Sequence, residues 1–527
     1  VQYIGHVIED MNAHARLGGS AGHYFRALDG QDMSGIDVVL HQVMPGMADY
    51  CTPSSVEGGM ADGEFYHYVL AQLGASHARQ NQRMNGKAMC EVFGAYGWAE
   101  GTPLMKWLMD FLLVRGVNHF VPHAFDDQFP DSDCPPHFYA NGQNPQFSGF
   151  TQLMHYVNRA AHLLSGADME ASGAILYHAE AAWMDADAML MQKPAKVCYD
   201  AHISYDIVPM DYLKSAETRD GKFGRGYRYL IVPACKQLSP CFTEIAARLR
   251  RAGVPIFFIN EAPAGVNACP EELVPLAQIA SRILAQHLAH DYQTSARLLR
   301  IAKFTRDELT VFFLFNESLQ TVQTTLQLPV CGQYIAADFL NEQYVRDEAA
   351  QGEVTVELAA GQSVLLVFGG VSQEEWLAFP AKQDKLHTQI LDVQWDIDLR
   401  ETGREENFRP LRRKSKLFNI TGLEDEREFS GEIRYRTTIN LEKAERMVLN
   451  IEHVGMTACL FANGRDLGQR ICAPYCWDIA DAVRNGENEI EVLAANTLVQ
   501  RMQDRLSSYM AIPASGLTGN VTLSVTQ

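Results

Sequence analysis

The chain has 527 residues, 47% of them hydrophobic, enough apolar material for about three or four domains. Its formal net charge of −20, from 64 acidic against 44 basic residues, argues against nucleic acid as a partner, because that affinity is built on clustered lysine and arginine. No uninterrupted apolar run approaches the ~20 residues that span a bilayer, so no membrane role is expected.

The chain begins Val1-Gln-Tyr-Ile-Gly-His6, with neither an initiator methionine nor an apolar signal core. This resembles the interior of a fold, and further sequence upstream is expected. Eleven cysteines form no C-x-x-C pair. An odd number scattered along a long chain fits free thiols in a reducing compartment. A cytoplasmic location is therefore expected, with secretion or a periplasmic location left open by the N-terminus.

From Val1 to about residue 165, short apolar strands alternate with helical stretches, the pattern of β/α units on a parallel sheet. Strands are predicted at Tyr3 to Glu9, Ile36 to Val43, Ala88 to Phe93 and Asn118 to His123. Between the last two, Leu104, Trp107, Leu108, Phe111 and Leu112 share one face of a predicted helix over Thr102 to Leu113. In Ala88-Met-Cys-Glu-Val-Phe93, alternation puts Ala88, Cys90 and Val92 on one face and Met89, Glu91 and Phe93 on the other. Glu91 then stands near the C-terminal end of its strand, where parallel barrels gather catalytic side chains. Gly94 and Gly97 are expected to let the turn adopt positive φ, leaving Tyr96 and Trp98 free to stack on a sugar ring. The alternative is an arginine partner for Glu91 and a core position for Trp98. A complete eight-fold barrel needs at least ~200 residues. Residues 1–168 are therefore read as the C-terminal part of a β/α-barrel whose first strands lie upstream, or as an open sheet.

Residues 169–296 give a doubly wound α/β pattern, with strands at Gly173 to Tyr177, Ala195 to Tyr199, Tyr229 to Pro233 and Pro255 to Ile259, and a helix from Phe242 closed by Gly253. Residues 297–370 change to period two at Thr310 to Phe315, Thr324 to Leu328, Val354 to Leu358 and Ser363 to Phe368, a small antiparallel β domain. Residues 386–527 read as a β-sandwich, with strands at Gly431 to Ile439, Arg446 to Ile451, Cys459 to Phe461 and Glu487 to Leu493. Asn463-Gly464 and Asn485-Gly486 are its predicted hairpin turns. The basic run Arg412 to Lys416 is read as a solvated loop.

Cys90-Glu-Val-Phe-Gly-Ala-Tyr-Gly-Trp98, with Met105-Lys-Trp-Leu108, Val114-Arg-Gly-Val-Asn118 and Val121-Pro-His-Ala-Phe125, resembles bacterial glycoside hydrolases of the α-L-rhamnosidase family 106 and their relatives. Gly5-His-Val-Ile-Glu-Asp10, Gly22-His-Tyr-Phe-Arg26 and Gly35 to Gly46 extend the resemblance over about the first 165 residues. The next block resembles the non-catalytic amidotransferase-like domain of β-galactosidase-type enzymes. The last block, with Cys459 to Gly464, Tyr475 to Ile479 and Ser515 to Gly519, is similar to the jelly-roll sugar-binding domain of family 2 glycosidases.

Glycoside hydrolysis needs a carboxylic acid to protonate the leaving oxygen and a carboxylate on the other side of the bond. Alternation along Tyr3 to Asp10 points Glu9 the same way as Glu91, with Asp10 as its rival. The resemblance implies that Glu9 is the acid and Glu91 the base, with inversion at a terminal sugar such as rhamnose. His6, Asp10, His41, Tyr96, Trp98, His119 and His123 are the candidate sugar contacts. A metal held by His119 and His123 is disfavoured, since an extended segment puts them about 13 Å apart and Pro122 opposes a helix. The resemblance also brings in calcium, for which Glu9, Asp10 and Asp37 offer oxygen, and self-association into a homo-oligomer. A non-catalytic carbohydrate-binding protein is the competing reading. A cysteine amidohydrolase using Cys235 is a third, opposed by the lack of the small glycines a nucleophile elbow needs.

Overall fold

The structure, a computed structural model, describes residues 1–7, 22–47, 51–53, 60–184, 187–289, 292, 294–381 and 386–526. Its first sheet has three parallel strands in the order β1 (Ser34–Val38), β2 (Ala88–Val92), β3 (His119–Pro122). The register places Asp37 beside Glu91 and Glu91 beside Val121. Ile36, Val38, Ala88, Cys90 and Val92 point into a core shared with α1 (Ala71–Gln80) and α2 (Thr102–Leu113). The opposite face carries Gly35, Asp37, Met89 and Glu91. In α2, Leu108, Phe111 and Leu112 are wholly buried, each contributing roughly 1.5–3 kcal/mol of apolar transfer. Three strands, rather than a closed barrel, are present among the described residues.

Two expectations for this region change. Residues 1–7 form no strand; they cross β1 so closely that a Cβ on Gly35 would lie 1.8 Å from the Gly5 carbonyl oxygen. β1 ends at Val38 rather than Val43, because Leu40 and His41 turn the chain with φ of 55° and 58°.

After α3 (Phe147–Leu164) comes a five-stranded parallel sheet of β4 (Gly173–Tyr177), β5 (Tyr205–Pro209), β6 (Leu230–Val232), β7 (Ile256–Ile259) and β8 (Leu273–Val274). Their order, β8-β7-β6-β4-β5, reverses direction between β4 and β6, as in doubly wound sheets. The predicted strand at Ala195 to Tyr199 is instead part of the helix Gln192–Asp200. Met191, Ala195 and Cys198 are buried at helical spacing, which a five-residue window did not separate from alternation.

A six-stranded antiparallel sheet follows, made of Leu299–Arg306, Leu309–Asn316, Ser363–Phe368, Gly332–Asp338, Gln343–Ala349 and the short Asp168–Met169. The C-terminal region packs a four-stranded on a six-stranded antiparallel sheet around Trp395, Tyr435, Leu460 and Trp477. Asn463-Gly464, with φ of 50° and 78°, joins the paired strands Thr457–Ala462 and Arg465–Arg470 as a hairpin. Asn485-Gly486 does not make a hairpin; it leads into Gly486–Ala495, whose sheet is not that of the preceding strand Tyr475–Asp478.

A buried charge cluster ties three regions together. Glu317 accepts from Arg115, which follows α2, and from Arg300 of the six-stranded sheet. Both guanidinium groups lie over the Tyr199 ring, at 4.7 and 4.3 Å. Burial alone would push the Glu317 pKa up, but the two arginines overcome it and bring it down to about 2. Among the described residues, no helix is long and apolar enough to cross a membrane.

Candidate active site

The site grows from the missing side chain at Gly35. The open space above β1 admits the Gly5 backbone, and the segment is pinned where Tyr3 N donates to Asp32 Oδ2 (2.7 Å) and Asp32 N donates to the Tyr3 carbonyl (2.9 Å). His6 is thereby set on two carboxylates that β1 and β2 hold side by side. Its Nε2 donates to Glu91 Oε2 at 3.2 Å, and its Nδ1 lies 3.8 Å from Asp37 Oδ2. Glu91 is 33% exposed, whereas Asp37 is 12% exposed beneath it.

The hydrogen bond from His6 holds the Glu91 carboxyl below its ordinary pKa; partial burial opposes this, and the charges of His6 and His123 reinforce it. Glu91 is thus an ionised carboxylate that water can reach. His123 continues β3, its N donating to the Val92 carbonyl at 2.9 Å. Its Nδ1 is buried with no hydrogen-bond partner among the described residues. A Cβ on Gly94 would lie 3.4 Å from the His123 ring, so the glycine admits the histidine beside the Glu91 strand.

Other predicted residues are placed differently. His119 shares the face of Glu91 but lies two residues earlier in register, opposite Met89. Its Nδ1 is engaged by Asn118 Oδ1 at 2.8 Å, and burial lowers its pKa, with Lys87 adding to the effect. His41 donates Nε2–H to the Tyr96 carbonyl at 2.9 Å and packs, tilted, 5.4 Å from the Tyr509 ring; burial lowers its pKa too. It anchors a loop. Glu9 and Asp10 lie outside the described residues.

Tyr96 and Trp98 correct an expectation. Tyr96 is wholly buried and donates its hydroxyl to the Val43 carbonyl at 2.8 Å. Trp98 is 3% exposed among Phe129, His137, Leu498 and Val499. The cover comes from the distant C-terminal region. Trp98 N donates to Asp504 Oδ2 (3.0 Å) and Ala99 N to Ser507 Oγ (2.9 Å). At Gly97, φ is 89° and a Cβ would meet Ser507 N at 2.5 Å, so both conformation and space require glycine there. The other left-handed positions of this turn are Phe93 and Ala95, not Gly94.

Two residues gained weight only from the structure. Asp37, read in the sequence as a cation donor, is the second carboxylate on His6, and finding it required the strand register. Glu100 is 2% exposed with neither carboxylate oxygen hydrogen-bonded among the described residues, and burial raises its pKa well above the ordinary value. Its position in a Trp-Ala-Glu-Gly turn gives no local sign of this. Cys235, 2% exposed after β6, is a buried thiol. Of the three oxygen donors considered for calcium, Asp37 alone is described.

The arrangement offers an ionised, reachable carboxylate at the end of a parallel strand, flanked by imidazoles: a base beside hydrogen-bonding groups. No family model matches the chain, and no curated protein matches it. Among solved structures it is similar to a rhamnosidase from Novosphingobium sp. PP1Y, with a TM-score of 0.68 at 17% identity over 95% of this chain and 52% of that one. A GH42 beta-galactosidase from G. stearothermophilus (TM-score 0.46, 9% identity, 65% of this chain and 60% of that one) is too distant to carry an argument. So is a GH42 exo-carrageenase from Bacteroides ovatus (TM-score 0.46, 7% identity, 68% and 51%). The chain thus spans about half the length of the rhamnosidase it matches, and shares its fold over nearly all of its own.

Proposed function

We propose that the protein is a glycoside hydrolase that releases a terminal sugar, an α-L-rhamnoside being the first substrate to test. The observation that carries this reading is Glu91: ionised, one-third exposed, at the end of β2 and in contact with His6. The fold shared with a rhamnosidase supports it.

In the proposed reaction, Glu91 takes a proton from water as the water attacks the anomeric carbon. Glu9 protonates the leaving oxygen, with Asp10 as its alternative. Inversion requires the two carboxyl groups roughly 6.5–9.5 Å apart, so that a water fits between them. His6 and His123 line the mouth and contact sugar hydroxyls; His41 and His119 support it from loop and strand, and Tyr96 and Trp98 form its buried wall. Asp37 orients His6. If calcium binds here, Asp37 is the described oxygen donor, and no step above depends on the ion. Residues 1–168 serve as the C-terminal part of a β/α-barrel, 169–296 as the amidotransferase-like region through which copies associate, 297–370 as a small β domain and 386–527 as the jelly-roll sugar-binding region.

The test is a panel of aryl glycosides, led by p-nitrophenyl α-L-rhamnoside, against wild type, Glu91→Gln and Glu9→Gln, with calorimetric binding of the free sugar. An enzyme loses turnover in both variants while still binding sugar. A carbohydrate-binding protein without chemistry turns over nothing in any of the three.

A further inference from the structure

The loop between β3 and α3 gathers a second ionisable group, apart from Glu91. Asp126, Asp131 and His137 bring two carboxylate oxygens and one imidazole nitrogen within 4.8 Å of one another. His137 is 3% exposed. Its Nε2 lies 2.6 Å from the Asp133 carbonyl oxygen, which can only accept, so a proton resides on Nε2. Nδ1 is buried and has no hydrogen-bond partner among the described residues, yet it stands 3.0 Å from Asp126 Oδ2. In the neutral ring this sets a nitrogen lone pair against a carboxylate oxygen, with the Asp131 carboxylate adding a second negative charge. The buried imidazole relieves this contact either by taking a proton on Nδ1, as an ion pair with Asp126, or by sharing a cation with the two carboxylates.

The surroundings match what a metal-binding imidazole needs. Such a ring characteristically donates its other N–H to a backbone carbonyl, which fixes tautomer and orientation. The Trp98 ring packs on His137 at 5.6 Å, and Asn144 Nδ2 donates to the His137 carbonyl at 2.9 Å.

We propose that Asp126, Asp131 and His137 bind one divalent cation of the manganese–zinc class. A nitrogen donor argues against calcium and magnesium, which take oxygen, and a mixed nitrogen–oxygen set suits ions of intermediate hardness. Three protein ligands leave room for water in the remaining positions. The same loop supports the turn after Glu91, since Ala95 N donates to the Cys134 carbonyl (3.2 Å) and Gly97 N to the Pro135 carbonyl (2.8 Å). A cation joining residues 126, 131 and 137 stiffens that support. The proposal stands whether or not the protein is a hydrolase.

The experiment strips the full chain with EDTA and titrates Mn²⁺, read by electron paramagnetic resonance and by thermal melting. Mn²⁺ is chosen because cysteine thiols compete for zinc. Wild type is expected to bind one equivalent more than Asp126→Asn and Asp131→Asn, and to melt a few degrees higher with Mn²⁺, a gain both variants lose. Glu91→Gln should bind as wild type does, which separates this group from the catalytic mouth. Circular dichroism of the metal-free variants establishes that they are folded; Asp131, at the loop surface, is the milder change. Equal Mn²⁺ binding by wild type and both variants overturns the proposal. So does a His137 that titrates by NMR as an imidazolium regardless of added Zn²⁺, which would make the group an ion pair.

Discussion

Both parallel sheets bury an alternating apolar face beneath helices, but they differ in what stands at their strand ends. In the three-stranded sheet, β1 and β2 finish with Asp37 and Glu91 on the face away from the helices, and the N-terminal segment lays His6 upon them. In the five-stranded sheet, β4 and β5 are buried throughout. The residues that follow its strands at the reversal between β4 and β6, where open sheets receive ligands, are His178 and Cys235, both nearly inaccessible. His178 spends its Nε2–H on the Met189 carbonyl at 2.7 Å. The first of these strand ends thus keeps an ionised carboxylate, Glu91, in reach of water, whereas His178 and Cys235 are shut away from it.

The largest effect expected from this contrast is on turnover. Glu91→Gln should lower kcat by about 10²–10⁴-fold, the range for removing a general base, with sugar affinity retained by calorimetry. Cys235→Ala, the matching change in the other sheet, should leave kcat/KM unchanged; a loss there would move the chemistry to the second sheet.

Stability comes next. Glu317→Gln leaves Arg115 and Arg300 buried without their carboxylate and should cost about 3–5 kcal/mol in urea unfolding. Because the folded pKa of Glu317 is depressed to about 2, below the unfolded value of about 4.3, its contribution is full above that unfolded value. It is lost as pH falls from there toward about 2. The wild-type melting temperature should therefore drop over that window more steeply than that of Glu317→Gln.

A smaller effect is expected at Gly35. Gly35→Ala puts a methyl 1.8 Å from the Gly5 carbonyl oxygen, which must displace the N-terminal segment at a cost on the order of 1–3 kcal/mol. Loss of the His6 resonance shift caused by Glu91 would report it in NMR. The subtlest change is His6→Ala. It removes the hydrogen bond that holds the Glu91 pKa down, so the acid limb of the kcat/KM profile should move to higher pH. An unmoved limb would mean that Glu91 is not the base.

What the sequence made legible was local. The helix Thr102–Leu113 and the strands Gly173–Tyr177 and Ser363–Phe368 have the predicted bounds, because each repeats its apolar period over its whole length. The strand end bearing Glu91 was legible for the same reason. The contact of His6 with Glu91 was not, since it depends on Gly35 yielding space to Gly5 across about thirty residues. Trp98 misled because its cover, Leu498 to Ser507, lies some four hundred positions away. Asn485-Gly486 misled because the dipeptide specifies backbone angles, not which strand follows.

The hydrogen bonds from Trp98 and Ala99 to Asp504 and Ser507 also set a timetable for synthesis. Translation proceeds from the N-terminus and regions fold as they emerge, so the wall beside Glu91 remains unfinished until residues 504–507 have left the ribosome. A nascent chain released before them would carry the Glu91 carboxylate without this wall beside it. The surroundings of Glu91 are thus completed only after some four hundred further residues have been made.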